Sequence, residues 1–242
     1  MIRKKSNRKF FIGLAVALVL PLSFFVVAKL LKKDKIKMPG FYRTEKITTK
    51  IEGGKTIKDT VFHQVKDLRL VTQLGDTVSL NKDLKGKILA IDFFFATCPT
   101  VCPKLTGNML MLQRAFRKDP KKERTMEDDV QLISITINPE NDDVKTLRAY
   151  ADRYGVNHDR WWFLTGDKKQ IYDYARNELG LSLENGDGSE NDFIHTQKIV
   201  VLDQERYIRG YYNGLDTVAI SQCAYDISLL SLENKKRKKT NQ

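Results

Sequence analysis

The chain has 242 residues and a formal net charge of +12, but that charge is confined to its ends: residues 1–37 hold ten basic side chains against one acidic one, Lys235–Lys239 add five more positive charges, and residues 38–234 carry a net of −2. A nucleic-acid module carries its positive charge on the folded domain. The distribution therefore excludes one and directs the basic ends toward anionic lipid headgroups or solvent.

Phe10–Ala28 runs nineteen residues without a formal charge, interrupted by Gly13, Pro21 and Ser23. A helix rises ~1.5 Å per residue and the bilayer core is ~30 Å thick, so a stretch of this length can span. Val26-Val27-Ala28 is a poor cleavage site and no nearby cysteine could carry a lipid, which predicts an uncleaved transmembrane anchor over residues 10–31. Five basic residues precede the span (Arg3, Lys4, Lys5, Arg8, Lys9) and five follow it (Lys29, Lys32, Lys33, Lys35, Lys37), so charge alone does not orient it. Its place at the extreme N-terminus and the paired cysteines beyond it favour a cytoplasmic tail over residues 1–9 with the remainder outside.

Residues 32–60 read as linker and hairpin, with Tyr42–Ile51 and Thr56–His63 flanking a Gly53-Gly54 turn. Residues 61–232 have the length of one domain, and a basic C-terminal tail at 233–242 completes the chain. Ile88–Phe95 and Val130–Ile137 are apolar runs of strand formers, as a buried sheet requires. Between them Leu105, Met109, Leu112 and Phe116 recur at helical spacing, with Pro103 placed for a first turn. Val144, Leu147, Ala151 and Tyr154 predict a second helix, with Asp142 as its cap, and Lys168–Leu179 a third. Trp161-Trp162 reads as strand and core. Thr196–Asp203 and Arg206–Tyr212 predict two closing antiparallel strands, and Asp216–Leu232 a last helix. This alternation predicts an α/β domain with the sheet in the middle; strand order does not follow from it.

The segment FFFATCPTVCP places Cys98 and Cys102 where a buried strand turns into a helix. Ligands and chemistry collect at that edge of open α/β sheets. The helix N-terminus favours thiolate over thiol and predicts a depressed pKa for at least one cysteine. A thiolate is both a nucleophile for disulfide exchange and a soft metal ligand, so the local physics serves copper or redox chemistry alike. Three residues intervene, against two in C-x-x-C; if the second cysteine begins the helix, both sulfurs converge on one point. Prolines after both cysteines argue against plain core.

These features, taken in order, make the chain resemble the SCO/SenC copper-delivery proteins. That family carries an apolar run, a T/H-C-P-x-x-C-P segment and a helix, here Phe93–Phe95, Thr97-Cys98-Pro99-Thr100-Val101-Cys102-Pro103 and the residues from Lys104. Its D-P-x-x-D is matched by Asn138-Pro139-Glu140-Asn141-Asp142 and its Leu-Thr-Gly by Leu164-Thr165-Gly166. Its histidine leading into a strand that ends in Asp is matched by His195 and Ile199-Val200-Val201-Leu202-Asp203. The resemblance implies a thioredoxin-like fold, with a central mixed sheet flanked by helices, tethered by the N-terminal helix to the inner (cytoplasmic) membrane on its extracytoplasmic side. It implies copper, Cu(I) or Cu(II), held by Cys98, Cys102 and His195. The implied partners are a copper-receiving oxidase subunit and a thiol reductase, in assembly of the binuclear copper centre of cytochrome c oxidase.

Two positions depart from the family. Ile194 stands where an Asp often precedes the histidine, which affects how the imidazole is oriented. Asn138 replaces the first Asp of D-P-x-x-D and removes a charge. His63 and His158 read as structural or exposed, Met109 as core, Cys223 as packing on the face it shares with Ile220, Ile227 and Leu230, and Asn185–Asn191 as a mobile polar flap near the site. Met111 is open. The competing function is a membrane-tethered thiol–disulfide oxidoreductase using Cys98 and Cys102, for which no histidine is required. A copper sensor is not separated from a chaperone by sequence. A peroxiredoxin-type peroxidase is excluded: Thr97 abuts Cys98, and no proline lies between Lys82 and Ala96.

Overall fold

The computed structural model describes residues 8–31, 37–52, 55–117, 126–181 and 196–240. Gly53-Gly54, the Asn185–Asn191 loop, Ile194 and His195 lie outside the described residues. The chain forms two units, Met1–Lys37 and Met38–Gln242. In the first, α1 (Arg8–Leu31) is a continuous 24-residue helix that contains Pro21 and covers the whole uncharged stretch. Leu18, Leu20, Leu22, Phe24 and Phe25 on it are exposed. Over the described residues, no helix is long and apolar enough to cross a membrane.

The second unit opens with a two-stranded antiparallel ribbon, β1 (Thr44–Glu52) and β2 (Lys55–Phe62). His63 ties it down: Nδ1 lies 2.9 Å from Glu45 Oε1 on β1 and Nε2 2.9 Å from Glu178 Oε2 in the body of the domain. A structural role for His63 is what the sequence predicts. Next come β3 (Arg69–Thr72) and β4 (Thr77–Ser79), joined by a turn in which Gly75 adopts φ +91°, a conformation suited to glycine. Neither strand is among the predicted elements.

The body of the sheet is built by β5 (Ile88–Phe94), α2 (Val101–Ala115), β6 (Val130–Thr136), α3 (Val144–Arg153), β7 (Trp161–Thr165), α4 (Lys168–Asp173), β8 (Lys198–Leu202), β9 (Ile208–Asn213) and α5 (Thr217–Thr240). The order is β4-β3-β7-β6-β5-β8-β9, with β5, β6 and β7 mutually parallel and β3, β8 and β9 joined antiparallel. Every residue of β5 and β6 is buried, as parallel strands covered on both faces must be. Leu89, Ile91 and Phe93 pack in the layer of Ile171 and Tyr172 from α4. Ile88, Ala90 and Phe94 meet Leu105, Met109 and Leu112 of α2, Leu147 and Ala151 of α3, and Ile220, Cys223, Ile227 and Leu230 of α5. Cys223 is fully buried there, and Met109 is core as expected, while Met111 is exposed. Each such large side chain contributes about 1.5–3 kcal/mol on burial.

Three expectations are refined. The predicted third helix is α4 followed by a π-helical turn, Tyr174–Glu178. The last helix does not stop at Leu232 but continues through the basic run to Thr240; lysine and arginine are good helix formers, and cations are favoured at a helix C-terminus. The cap of α3 is Asp143, whose Oδ1 accepts from the Thr146 amide at 2.7 Å, and not Asp142. The N-cap falls one residue later because Asp142 is drawn inward to a different task.

Candidate metal centre

Strand β5 ends at Phe94 and the chain turns through Phe95, Ala96 and Thr97 into α2, whose second residue is Cys102. Thr100, at the N-cap position, makes no side-chain bond to the helix, which leaves its first amides for another acceptor. Cys98 supplies it: the Cys102 amide donates to Cys98 Sγ at 3.3 Å. The Cys98 amide in turn donates to Phe95 O at 3.2 Å, closing the turn. The two cysteines are thus held together at the C-terminal edge of the parallel strands, as the sequence predicts.

Their environments differ. Cys98 is half-buried and Cys102 is buried. Burial opposes the charge on Cys98, yet the amides of Cys102, Thr100 and Val101 and the Cys102 thiol favour its thiolate and leave its pKa below the ordinary thiol value. Burial pushes Cys102 up to about 12, reinforced by Cys98 and by the carboxylate of Asp92. Burial likewise drives Cys223 well above the ordinary range, in keeping with an inert core thiol. The pair therefore combines one reactive, accessible sulfur with one protonated, sheltered sulfur.

A cavity of about 170 Å³ opens beside the pair, lined by Phe93–Phe95, Cys98–Cys102, Leu105, Ile137, Thr196 and Gln197. Thr196 immediately follows His195 in the chain. Gly214 holds this stretch against α2: its amide donates to Gln197 O at 2.6 Å and its carbonyl accepts from Asn108 Nδ2 at 2.7 Å. A Cβ at Gly214 would collide with Leu105 Cδ1 and fall 2.9 Å from Gln197 O, so glycine alone allows this approach. Among the described residues no group of three or more His, Cys, Asp or Glu side chains could hold a metal ion. Cys98 and Cys102 bring two sulfurs to this cavity, a soft pair whose chemistry would suit Cu(I). His158 is placed elsewhere, bonded to Asp152 and Gln73.

Two buried acids act on the cysteine pair, Asp142 through the backbone of its turn and Asp92 through its charge, and neither was assigned that part from sequence. Asp142, fully buried, accepts from the Ala96 amide at 3.0 Å and from Thr136 Oγ1 at 2.5 Å through Oδ2, while Oδ1 has no partner. The Asn138–Asp142 turn aims it there, with the amides of Asn141 and Asp142 both donating to Asn138 O. The Asn138 side chain accepts from Asn141 Nδ2 at 3.0 Å at the exposed side of that turn. Asp92, midway along β5, accepts from Ser134 Oγ at 2.5 Å through Oδ1, and Trp161 Nε1 donates to the same hydroxyl at 2.8 Å. Its Oδ2 has no partner, and burial raises its pKa to about 7. An acid inside an otherwise apolar strand was the signal available for Asp92.

The SCO1/SenC family model matches residues 59–228. The chain is similar to the SCO1 protein homolog of Bacillus subtilis (strain 168), 31% identical over 180 residues that cover 74% of this chain and 89% of the relative. BsSco, a member of the Sco family of cytochrome c oxidase assembly proteins in which a disulfide switch was identified, matches with a TM-score of 0.57 at 30% identity, over 70% of this chain and 94% of that one. ScoI of Bradyrhizobium japonicum, solved with copper bound, matches with a TM-score of 0.52 at 25% identity, over 68% and 98%.

Proposed function

Because this chain belongs to the SCO1/SenC family, we propose that it binds copper and assists assembly of the binuclear copper centre of cytochrome c oxidase. Cys98, Cys102 and His195 are its ligands in this reading, and copper is cargo passed on to an oxidase subunit. The observation that carries the proposal is the cysteine pair, with Cys98 Sγ on the Cys102 amide at the start of α2, beside a cavity whose lining includes the residue after His195. Two thiolates favour Cu(I), and an imidazole added to them accommodates Cu(II). The raised pKa of Cys102 means that its proton must leave as the metal enters, so loading releases protons. The copper-bound and oxidase-assembly relatives support this reading.

The same reading puts the N-terminus in the cytoplasm and residues 38–242 outside, anchored in the inner membrane. The helical course of α1 across the uncharged stretch supports it.

The inequality of the thiols favours a second reading, thiol–disulfide exchange. The Cys98 thiolate would attack a partner disulfide, expelling one partner thiolate, and Cys102 would lose its proton and resolve the mixed disulfide, expelling the other. The domain ends oxidised, the partner reduced, and a thiol reductase must return two electrons before copper can bind.

Anaerobic copper titration of the reduced protein, desalting and metal analysis should find one copper per chain, lost in Cys98→Ser and Cys102→Ser. His195→Ala should keep Cu(I) on two sulfurs and weaken Cu(II) by about tenfold or more, on the scale of a lost imidazole ligand. Reduced protein that retains no copper overturns the copper reading. Normal disulfide exchange by His195→Ala, with full oxidase activity in a copper-limited deletion strain, favours the second.

A further inference from the structure

The two places where the chain enters and leaves the domain meet at one buried guanidinium. Arg209, 3% exposed, donates through Nη2 to Pro39 O at 2.8 Å and to Glu233 Oε2 at 3.1 Å, and through Nε to Gly40 O at 3.2 Å. Its Nη1 is paired with Asp203 Oδ2 at 3.0 Å, and its Cζ lies over the Phe41 ring, 4.2 Å from the centroid. A second bond fixes the same end of α5, where Ser231 Oγ donates to Asp129 Oδ2 at 2.8 Å just before β6. The start of the domain and the end of α5 are therefore held side by side.

Sheet register says which pole this is. Leu89 of β5 pairs with Leu202 of β8, and Leu202 pairs with Ile208 of β9, so Arg209 sits level with the beginning of β5. The cysteines follow the other end of β5. Five residue steps from Leu89 to Phe94, at ~3.3 Å each, separate the two poles by about 17 Å.

The chain past Glu233 continues as helix through Lys235, Lys236, Arg237, Lys238 and Lys239. Five consecutive basic positions exceed one helical turn of 3.6 residues. Next to it in space, Pro39 is eight residues from Leu31, a reach of at most about 28 Å at ~3.5 Å per residue. The tether alone limits only how far this pole can stand from the anchor, so a second contact beside it is what would select the pole that faces lipid.

We propose that the basic C-terminal turns of α5, locked beside the start of the domain by Arg209, bind anionic phospholipid headgroups and stand the domain on the membrane with Cys98 and Cys102 at the far pole. The inference rests on the membrane reading of residues 10–31. Its consequence is that the copper site is presented to partners away from the bilayer face. Lipid is the occupant the charge favours, because a nucleic-acid surface would extend over the domain body, and residues 38–234 are net acidic.

Residues 38–242 contain the core of both sheet faces and serve for the test. They should float with phosphatidylcholine vesicles that contain phosphatidylglycerol, not with phosphatidylcholine alone, and high salt should release them. Replacing Lys235, Lys236, Arg237, Lys238 and Lys239 together by Gln retains helix formers and should weaken the partition by more than about a thousandfold at low salt. On the anionic vesicles, Cys98 should keep its alkylation rate with a neutral, membrane-impermeant maleimide. Equal flotation of variant and parent, or loss of Cys98 labelling on vesicles, overturns the proposal. Displacement from vesicles by millimolar inorganic phosphate, or binding to acidic protein or RNA with none to vesicles, overturns it too. Failure of the anchor is read separately: alkaline carbonate would then strip the full chain from phosphatidylcholine vesicles, whatever stands at residues 235–239.

Discussion

Replacing Asp92 by Asn should make the domain more stable at pH 8 and change the pH dependence of its stability. Asp92 is buried, one oxygen bonded to Ser134 and the other without a partner, and its pKa rises from 3.8 to about 7. The folded state therefore holds this proton more tightly than the unfolded state does. Stability from the group is full below about pH 4 and falls by about 1.4 kcal/mol per unit until about pH 7, a loss of about 4 kcal/mol. Asparagine keeps an acceptor for Ser134 but leaves its amide unpaired, a cost of about 1–3 kcal/mol that the protonated acid largely shares. The variant should then exceed the parent by about 2 kcal/mol or more at pH 8, with the difference growing from pH 5 to pH 7 and levelling above it. Urea unfolding of the reduced, metal-free domain at each pH measures this. A difference that stays flat from pH 5 to pH 8 would refute the reasoning. The same variant should lower the Cys102 pKa, since the Asp92 charge is one of the causes that raise it.

Mass-spectrometric alkylation of the reduced protein should show Cys98 reacting first at neutral pH, Cys102 only as pH approaches its raised pKa, and Cys223 last. Simultaneous modification of Cys98 and Cys102 would contradict the unequal pair. Asp142→Ala removes the acceptor of the Ala96 amide and of Thr136, and should cost about 1–3 kcal/mol and loosen the cysteine turn. Asp142→Asn keeps one acceptor and should restore most of the copper affinity; equal affinity in the Ala variant would show that the turn holds itself.

Patterns confined to one element were legible in the sequence. The apolar runs of β5 and β6 are buried on both faces, and the stripe of Leu105, Met109 and Leu112 faces the sheet. Cys98 and Cys102 fall at the strand–helix junction because local chemistry and local geometry coincide there. What depends on distant partners was not legible. Strands β3 and β4 have four and three residues, too few for alternation to register, and they exist by pairing with each other and with β7. Asp142 and Asp143 both suit a cap, and only the tertiary position of Ala96 decides that the first turns inward. The end of α5 was misplaced because apolar periodicity stops at Leu232, although helix propensity does not.

The buried acids near the cysteines are costly where they lie, and each acts on a different part of the pair. Asp142 is committed through its bonded oxygen to the backbone of Ala96, two residues before Cys98, so it sets where the first sulfur sits. Asp92 makes no bond to the cysteine turn, but its charge adds to the burial that opposes ionisation of Cys102 and so helps to keep the second sulfur protonated. A pair with two low pKa values would hold copper firmly and close readily to a disulfide. A pair with two high values would do neither at neutral pH. Keeping Cys98 low and Cys102 high makes both events wait for a proton to leave Cys102, whether an arriving metal or an arriving disulfide draws it away. Under the proposed function, that shared gate would let one geometry serve copper delivery or thiol exchange, and transfer competence, rather than binding alone, is the quantity that separates them.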